Sequence, residues 1–235
     1  MKPDTWRHRL SFALFPGVCL LCGCPSRRAL DLCAPCAAAL PLLLSACARC
    51  ALPLPTPGIC GQCLQHPPPF AAALAACHHR QPIDAMIHRL KYGGDLAQAM
   101  PLARLLAQCV SERDEPLPEA LVPVPLHWRR LARRGFNQAR ELAQPLGGML
   151  GIPVAANLVR RQRATPPQVG LARAERRRNL AGAFRVHARS LPAHVALIDD
   201  VITTGSTLEA LAECLTRAGV ERVEVWAVAR AALAN

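Results

Sequence analysis

The run Val195-Ala196-Leu197-Ile198-Asp199-Asp200-Val201-Ile202-Thr203-Thr204-Gly205-Ser206-Thr207 constrains the fold of this chain more than any other stretch. Four apolar residues in succession read as a strand covered on both faces, the pattern of a parallel sheet. Two carboxylates follow where that strand ends, which is where open α/β sheets hold their ligands. Next comes a loop of small hydroxyl residues with one glycine, and at once a helical run from Leu208 to Ala218. Amide N–H groups at such a loop and helix start form an anion site, to which Thr and Ser hydroxyls add donors. A phosphate in the loop, with two vicinal sugar hydroxyls under Asp199 and Asp200, satisfies both halves at once. An ordinary strand-turn-helix with a capping Thr or Ser would need no acid pair. A Walker A loop is excluded, because no Gly-Lys-Ser/Thr closes the segment.

The second constraint is the placement of cysteine. Eight of the 12 cysteines form four Cys-x-x-Cys pairs, Cys19/Cys22, Cys33/Cys36, Cys47/Cys50 and Cys60/Cys63, starting 14, 14 and 13 residues apart. Each pair presents two thiolates on a tight turn, and two pairs complete a tetrahedral Cys₄ zinc site, closed to water and therefore structural. Three groupings of the pairs are possible. Sequential grouping closes the shortest loops and is expected: Cys19, Cys22, Cys33 and Cys36 on one ion, Cys47, Cys50, Cys60 and Cys63 on the other. Pro, Gly and Ala dominate between the knuckles, so metal is expected to supply most of the folding energy there. A thioredoxin-like redox pair would want a βαβ context, which this repeat lacks. Cys24, Cys77, Cys109 and Cys214 read as small buried hydrophobes.

A secreted disulfide scaffold would also concentrate cysteine. Arg7-His8-Arg9 before Leu10 to Phe15 faintly imitates a signal peptide, but Pro16-Gly17 ends the apolar run after six residues. The uncharged stretch from Leu32 to Ala48 is broken by Pro35 and Pro41, against a membrane span. A reducing cytoplasm is the expected setting. The formal charge of +12 favours polyanionic partners, whether nucleic acid, an anionic membrane face or a pyrophosphate-bearing substrate. Aromatics at 4% leave little for extensive base stacking.

Taken in order, His66-Pro67-Pro68-Pro69 is a stiff polyproline piece that divides the chain, giving a small Cys-rich domain over 1–66 and an α/β domain over 70–235. Phe70 to Cys77 reads as a strand, and Ile83, Met86, Ile87 and Leu90 as one helix face. Lys91-Tyr92-Gly93-Gly94-Asp95 is either a basic loop facing the ligand or a helix stop with a following N-cap at Asp95. Leu102 to Val110 is helical. Ala120 to Leu126 is a strand whose prolines end its pairing near Val122 to Val124, and its X-Pro bonds are places for unusual peptide geometry. His127 to Gln138 is read as an arginine-rich loop, with Arg129, Arg130, Arg133 and Arg134 as candidates for pyrophosphate or nucleic acid, since guanidinium forks are bidentate to phosphate. A solvated basic surface is the alternative. Trp128 and Phe136 among these arginines would stack on bases or simply pack. Asn137 is the expected N-cap of a helix over 138–149. Val154 to Val159 is expected as a strand, Arg160 to Arg178 as a basic lid, Ala183 to Val186 as a return strand, and Arg222 to Ala229 as a final alternating strand.

The segment 195–207 resembles the 5-phosphoribosyl 1-pyrophosphate (PRPP) loop of type I phosphoribosyltransferases: hydrophobic strand, two acids, spacer, then Thr-Thr-Gly-Ser-Thr. With Leu14-Phe15-Pro16, the Cys-x-x-Cys array, Leu90-Lys91-Tyr92-Gly93-Gly94-Asp95, Val122-Pro123-Val124-Pro125, Arg134-Gly135-Phe136-Asn137-Gln138, Arg176 with Asn179, and Ala183-Phe184, the whole order resembles the competence protein F (ComF) family. The resemblance implies an α/β fold, a Rossmann-like type I phosphoribosyltransferase domain with a parallel sheet behind a double zinc ribbon. It implies PRPP with Mg²⁺ as ligand, the ribose hydroxyls on Asp199 and Asp200 and the 5-phosphate on Thr203, Thr204, Gly205, Ser206 and Thr207. It further implies a part in natural transformation, helping incoming single-stranded DNA at the cytoplasmic side of the inner membrane beside other DNA-uptake proteins. Use of DNA as a nutrient is the variant among related members. A phosphoribosyl transfer from PRPP to a nucleophile, releasing pyrophosphate, is implied with an acceptor that the sequence does not name.

Overall fold

The computed structural model describes residues 17–26, 31–163, 182–188 and 190–232. In chain order the elements are α1 (Ala34–Ala38), α2 (Gly61–Gln65), β1 (Ala72–His78), α3 (Ile83–Gly93), a 3₁₀ turn (Leu96–Gln98), α4 (Ala99–Ser111), β2 (Ala120–Pro123), α5 (Trp128–Arg134), α6 (Gln138–Leu150), β3 (Val159–Arg161), β4 (Phe184–Val186), β5 (His194–Ile202), α7 (Ser206–Arg217) and β6 (Arg222–Arg230).

Four strands form one parallel sheet in the order β1-β6-β5-β2, with Ala196 opposite Glu224 and Leu121 opposite Ala196. Strands buried on both faces explain the unbroken apolar runs. Alternate residues of β5 enter different cores. Ala196 and Ile198 pack with Leu90, Leu102, Leu106, Leu142 and Leu146 of α3, α4 and α6. Val195 and Leu197 pack with Leu208, Leu211 and Leu215 of α7 and with Phe184 of β4. The strand expected over 222–229 is present as β6, but it is buried along nearly its whole length rather than alternating in exposure.

The Cys-rich segment lies along the free edge of β1. Leu42 bridges Cys77, the Leu43 N–H donates to the Ala76 carbonyl at 3.0 Å, and the His78 N–H to that of Pro41 at 2.8 Å. Leu32, Leu40, Cys19 and Cys33 belong to the same apolar cluster as Met86 and Ile87. The first knuckles are thus also packed into the α/β core.

Other expectations change as well. Residues 128–134 are helix, not loop: His127 caps α5 by accepting the Arg129 N–H at 3.3 Å, and Gly135 ends it at φ +84°. Residues 154–158 are not a strand; Val154 makes a lone bridge to Leu121, and pairing resumes in β3, antiparallel to β4. The cis peptide bond among the described residues is Gln81-Pro82, not either Val-Pro bond. Cys24 is exposed rather than buried, and Cys109 and Cys214 are half-buried. Asn137 caps α6 as expected, accepting the Ala139 N–H at 3.1 Å. Leu14-Phe15-Pro16 and the span 164–181, with Arg173, Arg176, Arg177, Arg178 and Asn179, lie outside the described residues.

The amino ends of β5 and β6 are tied by a charged knot. The buried Glu224 carboxylate accepts from Arg113 Nη1 at 2.9 Å, Trp226 Nε1 at 2.9 Å and Arg222 Nε at 3.0 Å, and lies 3.2 Å from His194 Nε2. Burial works against its ionisation, yet these donors hold the carboxyl below its ordinary range.

Candidate phosphate-loop site and its metal centres

The acid pair sits on the last turns of β5 itself, not beyond it, because pairing with β6 runs through Ile202. The two carboxyls are close enough to act on one another, but each has a partner of its own. Asp200, 2% exposed, turns toward α3, where its Oδ2 is ion-paired to the ammonium of Lys91. Asp199 is half-buried, and its Oδ1 accepts the Asp200 backbone N–H at 2.9 Å. Burial, then the charge of Asp200, lifts the Asp199 carboxyl well above the usual carboxylate range, while Lys91 pulls the other way. Arg161 on β3 lies where it feels both the attraction of Asp199 and the repulsion of Arg130, with burial as the larger effect lowering its pKa.

Beyond Ile202 the chain turns through Thr203 and Thr204, both exposed, to Gly205 at φ +80°. That left-handed residue is the N-cap of α7, and no side chain caps the helix. The first-turn amides of a helix have no partner within it, so they and the positive end of the helix dipole are available to an anion. Thr204 Oγ1 and Ser206 Oγ stand 3.2 Å apart at the same mouth, and Ser206 is buried while Thr207 is half-buried. The arrangement offers donors for a phosphate beside acceptors for hydroxyls.

The predicted arginines separate into two kinds. Arg129, Arg130 and Arg133 are exposed on α5. Arg134 is engaged: it donates to Gln138 Oε1 at 2.6 Å and lies over the Tyr92 ring at 5.1 Å. Trp128 is exposed, with Arg129 at 5.3 Å over its ring, whereas Phe136 packs against the core. For Lys91 to Asp95 both readings hold in part. Helix α3 stops at Gly94 in a left-handed C-cap, and Lys91 one turn earlier reaches the acid pair. Asp95 precedes the 3₁₀ turn without a side-chain cap and instead pairs with Arg89 at 3.1 Å.

The cysteines assemble in the sequential grouping, Cys19, Cys22, Cys33 and Cys36 in one cluster and Cys47, Cys50, Cys60 and Cys63 in the other, all four sulfurs of each within 4.8 Å of one another. Zinc at ~2.3 Å from four thiolates places sulfurs ~3.8 Å apart; Cys22 and Cys33 are 3.6 Å apart and Cys50 and Cys60 3.8 Å. One thiol in each cluster is primed. Burial opposes ionisation of Cys19, but backbone donors led by Cys33 bring it to about 6, and those led by Cys60 bring Cys47 to about 7. Their partners move up: hydrogen bonding to Cys33 does so for Cys36, and burial does so for Cys63 and for Cys50, the last to about 11. Crowded thiols of this kind are what a dication resolves, and the donor sets fit two structural zinc sites.

The sequence did not single out Arg161 as the cation beside Asp199, nor Arg230. The buried Arg230 side chain donates from Nη1 to the carbonyls of Ile202 at 2.9 Å, Thr203, and Ala231 at 2.9 Å, and from Nε to that of Cys50 at 3.1 Å. Arg161 sits in a conspicuous basic run, but nothing in a strand-terminal Arg230 signals such a role.

The model of a double zinc ribbon domain matches residues 10–64, and that of a phosphoribosyl transferase domain matches residues 97–232. A "DNA utilization protein YhgH" of Salmonella typhi is 40% identical over 230 residues, 96% of each chain. "Competence protein F" of Haemophilus influenzae is 41% identical over 179 residues, 73% of this chain and 78% of that one. The chain belongs to the ComF family. A more distant relative is "Competence protein ComFC" of Streptococcus pneumoniae, 28% identical over 153 residues and 65% of each chain. The double zinc ribbon match precedes the phosphoribosyl transferase match, and the acid pair with its loop falls inside the latter. Among the described residues no helix is long and apolar enough to cross a membrane.

Proposed function

We propose that this chain binds PRPP with Mg²⁺ at the β5–α7 loop and acts in the handling of DNA taken up by the cell, working on incoming single-stranded DNA at the cytoplasmic face of the inner membrane. What carries the reading is the uncapped amino end of α7 directly after Asp199 and Asp200. The names of the relatives, competence and DNA utilization, support the biological side. The 5-phosphate is held by the amides and hydroxyls of Thr203 to Thr207. The ribose hydroxyls donate to the acid pair, so a sugar reaching Asp200 competes with the Lys91 ammonium for the same oxygens. Magnesium, a hard ion, is held largely by substrate oxygens. Lys91 and Arg161 bring positive charge to where a pyrophosphate would lie, which stabilises developing negative charge at a leaving group. That placement favours, as a second reading, transfer of the phosphoribosyl group to a nucleophile with release of pyrophosphate.

Single-stranded DNA is met by the exposed Arg129, Arg130 and Arg133, with Trp128 as a stacking surface. Two measurements test the proposal. Calorimetry with PRPP and Mg²⁺ gives one-to-one binding that is lost in Asp199→Asn/Asp200→Asn; a wild-type protein with no heat of binding removes the PRPP reading. Replacing Arg129, Arg130 and Arg133 by Gln lowers the salt slope of single-stranded DNA binding by about 2, from three phosphates at ~0.7 each; an unchanged slope removes this face from the DNA reading. Pyrophosphate release on adding PRPP with a candidate nucleophile would favour the transferase, and its absence with bound PRPP would leave the binding role.

A further inference from the structure

Arg230 is 4% exposed and carries a charge that proteins do not remove. Its side chain donates to four backbone carbonyls, and the thiols of Cys50, Cys60 and Cys63 lie close enough to act on its charge. A buried cation needs an anion close by, and the cleft beside Arg230 is lined by the second cysteine centre and by Glu209. The neighbouring element is the second four-cysteine centre: Cys50 accepts from Arg230 through its carbonyl, and one cleft is lined by Cys50, Cys63, Thr204, Gly205 and Arg230. Zinc held by four thiolates leaves a net negative centre. On the other side of the guanidinium are the carbonyls of Ile202 and Thr203, the two residues through which β5 enters the phosphate loop. Among the described residues the first centre makes no such link to the loop. Its described contact with the transferase domain is with α3, where Arg89 Nη1 donates to the Leu20 carbonyl at 3.2 Å.

We propose that Arg230 is the positioning residue of the phosphate loop and that the zinc-loaded Cys47/Cys50/Cys60/Cys63 centre is its counter-charge, so that occupancy of this one metal site sets the loop's ability to bind a phosphate. The inference rests on the reading of residues 203–207 as the phosphate loop. The donations to Ile202 and Thr203 fix where the loop begins, and α7 fixes where it ends. Losing the negative centre removes the thiolate charge beside the guanidinium, which then leaves the carbonyls for water, releasing Thr203 and Thr204.

The test uses the full chain and three variants. In Arg230→Met, an apolar replacement of similar length, the zinc count stays at two per chain. Amide exchange across 203–208 rises at least tenfold, and PRPP affinity falls roughly tenfold to a hundredfold. Cys60→Ser/Cys63→Ser drops the count to one and loosens the same amides, whereas Cys33→Ser/Cys36→Ser drops the count to one and leaves them unchanged. Arg230→Lys, which keeps the charge, recovers part of the protection. Unchanged exchange in a folded Arg230→Met overturns the proposal even if the cysteine variants fail to fold, and equal loosening from either zinc site overturns the specific route. Exchange is read without ligand, so absence of PRPP binding in the wild type defeats the functional reading while leaving this one to stand or fall on the amides.

Discussion

Substituting Lys91 by Met probes the acid pair directly. The Asp200 side chain is 3% exposed and that of Lys91 23%, so the pair is largely withdrawn from water. Removing one partner of such a pair leaves a buried charge uncompensated, at a cost of about 3–5 kcal/mol; the partial exposure of Lys91 places the loss near the lower end, about 3 kcal/mol. For a chain of this size that corresponds to a fall in melting temperature of about 6–12 °C. The loss also depends on pH. Asp199 already has a raised pKa, so the folded state binds its proton more tightly than the unfolded chain, and stability falls as pH rises from the unfolded value toward the folded one. Lys91 works against that rise. Without it the window widens upward, and the gap between wild type and variant grows between pH 5 and pH 8. Scanning calorimetry with zinc retained, at pH 5 and pH 8, measures both. A gap below about 1 kcal/mol at pH 8, or one equal at the two pH values, would refute the claim that Lys91 neutralises a buried acid pair.

Two further outcomes follow from the geometry. Glu224→Gln removes the charge at the centre of the Arg113, Arg222, His194 and Trp226 contacts and costs about 2–4 kcal/mol in denaturant melts at pH 7. Because the folded pKa is depressed, that contribution is present above the unfolded value near 4.3 and disappears as pH falls through the folded one; a loss that stays constant into acid contradicts the assignment. Gly205→Ala meets open space, so its cost is backbone strain alone, about 1–2 kcal/mol at a φ of +80°. Thermal melts read the strain, and calorimetry shows weaker PRPP binding as the loop relaxes; full stability and affinity would mean that the turn does not need this conformation.

Much of the architecture was legible in the sequence because local patterns carried it. The unbroken apolar run of β5 foretold burial on both faces, Asn137 foretold a helix start, and of three possible groupings of the knuckles the one with the shortest loops is the one that gathers. The misreadings have physical causes. Trp128 to Arg134 looked like a loop because charge was weighed above helix propensity, yet arginine and leucine are good helix formers and His127 supplies the cap. Val154 to Leu158 looked like a strand, but strand pairing is decided by neighbours that a sequence does not show. At the site, the pairing of Lys91 with Asp200 and the span of Arg230 from Cys50 to Thr203 join residues more than a hundred positions apart. No local pattern encodes such distances.

The seating of the ribbon along β1 has a consequence for solubility. An uncovered parallel edge is a template onto which another polypeptide can add a strand. Here the backbone of Pro41, Leu43 and Ala48 already occupies the donors and acceptors of that margin. Demetallation that loosens these knuckles would therefore do more than weaken one chain: it would open a seam for chain-to-chain association, making the thiolate clusters guardians against self-assembly.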